Sequence, residues 1–202
     1  MREFHDVEQG TEEWLEMRRG RFTASTFADL FMKDTTAGFE KAIYKPVYER
    51  LTGESPESFT SGYMERGNEL EPLAVEEYEM QTFSSATNGG FWTMGEWIGD
   101  SPDRMVDDGV LEVKCPAYNT MINYLLKGEL PRQYKWQVVG HMMCTDRDWC
   151  DFMAYHPALP ALILRVNRDE KTEAELSAKL AECIERAESL MSDLSRIVDG
   201  NL

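Results

Sequence analysis

Long apolar runs are missing from this chain of 202 residues, and no uninterrupted stretch approaches the length of a membrane span. The first residues, Met1 to Asp6, are polar and have no apolar core of a signal peptide, so the expected location is the cytoplasm. No glycine-rich P-loop pattern is present, which removes the expectation of ATP dependence. Cysteine is scarce and scattered: Cys115, Cys144, Cys150 and Cys183 show no C-x-x-C spacing, so free thiols are expected rather than disulfides or an iron-sulfur cluster. Positive charge is also short, with 21 Lys and Arg against 37 Asp and Glu, a net charge of -16.

That deficit weighs against a nucleic-acid partner, because affinity for a phosphate backbone comes largely from Lys and Arg. A DNA-binding chain of this charge must keep its acids on an outer surface. Its cations, Arg18, Arg19 and Arg21 or Lys127, Arg132 and Lys135, must line an inner passage. A bound divalent metal also reverses the sign of a carboxylate-rich site. The remaining composition, 42% hydrophobic with 14 Gly and 8 Pro, is that of an ordinary globular chain, and its length suits one domain over residues 1–202.

The pattern alternates helix and strand. Thr11 caps a first short helix, Gly20 interrupts it, and Ser25 is expected to cap a second. Residues 42–51 and 64–80 read as helices, the first disturbed at Pro46 and the second with Pro72 expected in its first turn or at a kink. Residues 91–98 and 100–106 look extended. Asp107-Asp108-Gly109 is a turn signal, and Val110 to Lys114 alternates apolar with charged residues, so a β-hairpin is predicted. Helices near 119–126 and 131–144, strands at 148–155 and 161–166, and a long final helix with a stripe at Leu176, Leu180, Cys183, Ala187, Leu190 and Leu194 complete an α/β chain.

The hairpin carries the chemistry. With Asp108-Gly109 as the turn, Asp103 lies opposite Lys114, and strand alternation points Asp103, Glu112 and Lys114 to one face. Two carboxylates offer oxygen ligands to Mg²⁺, with Mn²⁺ an alternative, and a lysine beside them adds positive charge near a phosphate and a nucleophile. The same alternation also suits the solvent face of an edge strand, so the spacing P-D-x(n)-E-x-K decides little by itself. Glu71, on a helix beside Asn68, Val75 and Tyr78, is a further carboxylate for a second metal about 4 Å from the first.

Several ordered motifs accompany the hairpin: Gln9-Gly10, Trp14, Arg18, Gly20 and Thr23-Ala24-Ser25; Gly67-x3-Glu71; Ser101-Pro102-Asp103; Glu112-Val113-Lys114-Cys115-Pro116; and Tyr134-x2-Gln137-Val138. Together they resemble the phage lambda exonuclease-like family of viral recombination nucleases, a branch of the PD-(D/E)xK superfamily. The resemblance implies a central mixed β-sheet flanked by helices, Mg²⁺ dependence, and 5′ to 3′ digestion of one strand of linear duplex DNA to leave 3′ overhangs. It also implies a homotrimeric ring and a single-strand-annealing protein as recombination partner. By resemblance, Asp103, Glu112 and the carbonyl of Val113 bind metal, Glu71 assists a second metal, Lys114 helps to activate water, and Gln137 supports the nucleophile or phosphate. Arg18, Ser25 and Ser101 correspond to residues that hold the 5′ phosphate. Arg104 departs from the small glycine often found after the aspartate. The same metal hairpin serves an endonuclease that cuts internal or branched sites, and a non-catalytic DNA-binding subunit keeps the same fold.

Overall fold

The computed structural model describes residues 1–56 and 62–198. Two sheets share the chain. Strand β1 (Arg2–His5) leads to α1 (Glu12–Arg18), whose first turn is capped by the Thr11 hydroxyl accepting from the Trp14 amide at 3.3 Å, as its sequence predicts. After β2 (Phe22–Thr23) the chain runs through a 3-10 segment, Ala24–Phe31, then α2 (Ala37–Thr52) and α3 (Gly62–Thr82). Short strands β3 (Ala86–Asn88), β4 (Phe91–Met94) and β5 (Ile98–Asp100) precede the hairpin of β6 (Arg104–Val106) and β7 (Gly109–Lys114). Helix α4 (Tyr118–Lys127), a 3-10 turn at Arg132–Tyr134, α5 (Lys135–Thr145), β8 (Trp149–His156), β9 (Leu159–Asn167) and the long α6 (Glu170–Val198) complete the order.

The central sheet is mixed, as expected, in the order β3-β6-β7-β8-β9, with β7 and β8 parallel and the other pairs antiparallel. A second sheet, β1-β4-β5-β2, is absent from the sequence expectation. The predicted extended stretch 91–98 is two antiparallel strands of this second sheet, folded back around the turn at Gly95. The stretch 100–106 divides where the chain leaves one sheet at Asp100 and enters the other at Arg104.

Alternation along β7 decides which helix sees which side chain. Val110 faces a cluster with Met121 and Tyr124 of α4, Val138 and Met142 of α5, and Phe152 of β8. Leu111 and Val113 face the opposite way, against Ala74, Val75 and Tyr78 of α3. Glu112 has the parity of Val110 and so turns toward α5. A separate core joins Phe27 and Leu30 of the 3-10 segment, Phe39 and Ile43 of α2, Val139 and Met143 of α5, and the α6 stripe at Leu176, Leu180, Cys183 and Ala187. The predicted stripe thus packs as core as far as Ala187, with Leu190 partly buried against it, while Leu194 is exposed.

Three local expectations are corrected. The hairpin turn is Asp107-Asp108 rather than Asp108-Gly109: Val106 pairs with Gly109, and Asp107 takes the left-handed conformation with φ 45°. Gly109 is needed for another reason, because a Cβ there would stand 2.2 Å from the Trp149 ring on the adjacent strand. Moving the turn by one residue shifts the partner of Asp103 from Lys114 to Glu112, yet parity is conserved and the shared face survives. Ser25 is not a helix cap; Thr23 holds that position and Ser25 lies inside the 3-10 segment. Pro46 and Pro72 both sit within continuous helices, and the second removes the backbone donor that would have reached the Asn68 carbonyl.

The close approach of Trp149 to Gly109 gives a test of packing at the sheet centre. Gly109→Ala is expected to lower stability by about 1–3 kcal/mol through overpacking, seen as a lower urea midpoint with an unchanged slope. An unchanged midpoint would show that the indole swings aside without cost.

Candidate active site

Two connections cross between the sheets side by side, and they build the site. Residues 101–103 lead from β5 to β6, while Gly89 and Gly90 lead from β3 to β4. The two backbones pass so closely that a Cβ on Gly89 would meet the Pro102 carbonyl oxygen at 1.8 Å. This contact sets Ser101 on one side of the crossing and Asp103 on the other.

On the Asp103 side, the Val113 amide donates to Asp103 Oδ2 at 2.6 Å, fixing the carboxylate against the Glu112-Val113 backbone. Glu112 is buried, at 1% exposure. Its Oε1 accepts from Gln137 Nε2 at 2.6 Å and pairs with the Lys114 ammonium, while Oε2 meets His141 Nε2 at 2.7 Å. His141 turns its other nitrogen, Nδ1, to both oxygens of Asp100 at 2.9 Å. Burial disfavours charge on Glu112, but Lys114 and His141 outweigh it and hold the carboxyl down to about 2. Burial also opposes charge on His141, and Asp100 and Glu112 override it, pushing the imidazole up to about 10. Lys114 is likewise kept protonated against burial by Glu112 and Asp103.

Asp103 goes the other way. Burial and the negative charge of Glu112 push it up to about 8, with Glu71 adding to the effect and Lys114 only partly offsetting it. Negative charge is therefore in excess at this point of the cleft, which fits a divalent cation. Among the described residues no three His, Cys, Asp or Glu side chains form a ready-made cage. The groups that could hold a cation there are Asp103, Glu112 and the backbone at Val113, an open set of oxygen donors. Glu71, the expected second-metal residue, is engaged by Arg104, Nη1 to Oε1 2.8 Å.

On the Ser101 side, the Trp14 indole donates to Ser101 Oγ at 2.9 Å, and the Ser101 hydroxyl donates to the Gly90 carbonyl at 2.8 Å. The Arg18 guanidinium lies 4.8 Å from the Trp14 ring centroid and donates to Ser25 Oγ at 2.8 Å. Arg18 thus does not make the surface ion pair with Glu13 or Glu16 that its spacing also permits; Arg19 pairs with Glu16. A cavity of about 760 Å³ joins the two sides, lined by Gln9, Trp14, Glu71, Ser101, Asp103 and Arg104. A recess of about 330 Å³ continues past Glu71 and Asp103 to Lys114 and Tyr134.

Of the predicted side chains, Glu71, Ser101, Asp103 and Lys114 line these two connected spaces, Glu112 and Gln137 lie buried behind Lys114, and Arg18 and Ser25 adjoin them over Trp14; the predicted cation clusters do not gather there. Arg21 is spent on the carbonyls of Met17, Gly95 and Glu96, and Lys135 lies over the Trp136 ring and faces Glu175. Lys127 and Arg132 line a different cavity with Tyr124 and Gln133. His141 and Asp100 were missed from sequence. The available signal was a histidine four residues after Gln137, on the same helix face in an otherwise apolar run.

Mixed sheet, flanking helices and a carboxylate-lysine cleft define the class, an α/β nuclease fold of the PD-(D/E)xK kind. The chain belongs to the family described as the YqaJ-like viral recombinase domain, whose model matches residues 13–148. Among solved structures it is similar to LHK-Exo, an alkaline exonuclease from Laribacter hongkongensis, at 32% identity over 95% of this chain and 100% of that one, with a TM-score of 0.88. The same protein in complex with dAMP matches with a TM-score of 0.87. A phage related exonuclease from Haemophilus somnus 129PT shares the fold at 15% identity, with a TM-score of 0.65 over 86% of this chain and 96% of that one. No curated protein matches.

His141 gives the site a signature in stability. Its folded pKa is raised, so its contribution is complete below the ordinary value of 6.5 and is lost as pH rises toward about 10. Melting temperature of the chain, kept free of divalent cations, should fall across that window, and less steeply for His141→Gln. Equal slopes for the two proteins would assign the dependence to other groups.

Proposed function

We propose that this chain is a Mg²⁺-dependent 5′ to 3′ exonuclease that digests one strand of linear duplex DNA and leaves 3′ single-stranded overhangs for recombination. One observation carries the reading: the cavity that Asp103 lines on one side is lined on the other by Trp14 and Ser101, and the Arg18-Ser25 pair adjoins it over the Trp14 ring, with residues 101–103 joining the two sides. A cation at Asp103, Glu112 and the Val113 carbonyl, Mg²⁺ or in its place Mn²⁺, supplies positive charge to phosphoryl oxygens and lowers the pKa of an attacking water.

The chain's own groups do the rest. Lys114, placed beside Glu112 and Asp103, brings positive charge to the phosphate and helps to activate the attacking water. Gln137 and Lys114 converge on Glu112 Oε1 and orient that oxygen toward the cleft. Arg18, Ser25 and Ser101 bind the terminal 5′ phosphate, since guanidinium and hydroxyl donors match its oxygens. Anchoring that end places the adjoining phosphodiester at Asp103 and sets the direction of digestion. Glu71 joins a second cation only once Arg104 releases it. The likeness to an alkaline exonuclease supports the reading, and the dAMP bound to that relative is the kind of product such a cleft releases. A homotrimeric ring and a single-strand-annealing partner belong to the same proposal through the family resemblance.

Lys114→Ala should abolish nucleotide release from linear duplex in Mg²⁺, and the wild-type chain should leave covalently closed circles intact. Cutting of closed circles would favour the endonuclease reading, and full activity in the variant would remove Lys114 from the chemistry. For end recognition, Arg18→Ala should lose most of the preference for 5′-phosphorylated over 5′-hydroxyl ends, a charge-assisted contact of about 1.5–3 kcal/mol. A preference equal to wild type would place the phosphate elsewhere.

A further inference from the structure

Glu112 has three side-chain partners in a space that admits almost no water, and only part of that constraint comes from groups that also face the cleft. Lys114 and Gln137 approach Oε1, while Oε2 is met by His141 alone. His141 is buried to 1% exposure on α5, one turn beyond Gln137, and both of its nitrogens face carboxylate oxygens, so both donate. Asp100, also at 1% exposure, takes the Nδ1 proton and comes from the strand that leads directly into Ser101. Asp100 is also the charge that most favours the cationic form of Arg18, whose guanidinium is otherwise disfavoured by burial. A buried hydrogen-bonded chain therefore runs from Asp100 through His141 to Glu112, across β5, α5 and β7.

We propose that His141 is a positioning residue for the metal centre: oriented by Asp100, it ties down Glu112 Oε2 so that Oε1 is the oxygen presented to a divalent cation. This deepens the exonuclease reading and rests on Asp103 and Glu112 being the cation's ligands. A carboxylate free to rotate would share the cation between two oxygens or turn away from Asp103. With Oε2 held, Glu112 binds through one oxygen at a fixed bearing from Asp103, and the Asp100 contact keeps that bearing in register with the phosphate pocket.

The side-chain amides of glutamine and asparagine separate this role from packing, because glutamine places its nitrogen near the position of Nε2 and asparagine near that of Nδ1. Mn²⁺ binding to the full chain without DNA, followed by electron paramagnetic resonance at one pH, is the readout, with circular dichroism to verify the fold. His141→Asn is expected to bind Mn²⁺ about 10–100-fold more weakly than wild type, the usual loss when a partner of a metal ligand is removed. His141→Gln, which can still reach Glu112 Oε2, should recover most of that affinity. Equal affinities in wild type and His141→Asn would overturn the proposal, as would equal losses in both variants, which is the pattern of plain packing damage. Should His141→Asn fail to fold, Asp100→Asn serves instead: weaker Mn²⁺ binding supports the relay and wild-type binding overturns it. A chain that binds Mn²⁺ with the expected order of affinities yet digests no DNA refutes the exonuclease reading alone. A wild-type chain that binds no Mn²⁺ refutes both.

Discussion

A carboxylate buried at the centre of a sheet must be compensated, and Glu112 sets that demand for the whole molecule. An isolated ionised carboxyl in such surroundings would cost several kcal/mol and would take up a proton instead. Here three side chains converge to keep it charged: Lys114 from its own strand, and Gln137 and His141 from one face of α5. Because α5 must lie over β7 to do this, its other face meets the 3-10 segment and α6, and the second core forms around it. His141 in turn needs Asp100, which ties the second sheet to the first.

The same demand explains why Asp103 behaves so differently. Compensation is committed to Glu112, and the nearby Asp103 is left with one amide bond and two like charges. Two carboxyls in one cleft are thus driven apart in acidity, one to about 2 and one to about 8, by the placement of the cations rather than by their own chemistry. The overall acidity of the chain is no obstacle to a nucleic-acid partner, since much of the excess is displayed away from the site, as on the exposed positions Glu175, Glu182, Glu185 and Glu188 of α6.

The resemblance carried by short motifs covers the cleft well, because each motif occupies a place where backbone geometry and chemistry coincide. Trp14, Arg18 and Ser25 come together through one indole and one hydroxyl, and Ser101-Pro102-Asp103 forms the crossing between the sheets. Periodicity located the helix 64–80, the long final helix through its stripe from Leu176 to Leu194, and the strands 110–114 and 148–155 to within a few residues. It failed where one residue type serves two purposes. Gly109 reads as a turn residue but is there to admit Trp149, and Pro72, which a first turn would suit, stands in the middle of its helix.

What the sequence by itself determined was local and additive: element type from periodicity, the shared face of Asp103, Glu112 and Lys114 from strand parity, and the identity of the reactive groups. Parity survives a displaced turn because moving the turn by one residue changes each partner by two. What only the tertiary structure decided was which charges meet. The Arg104 contact to Glu71, the cross-sheet bracket of Asp100 and His141, and the divergence of Asp103 from Glu112 depend on approaches between distant segments and on the water excluded there, and neither is encoded in any window of neighbouring residues.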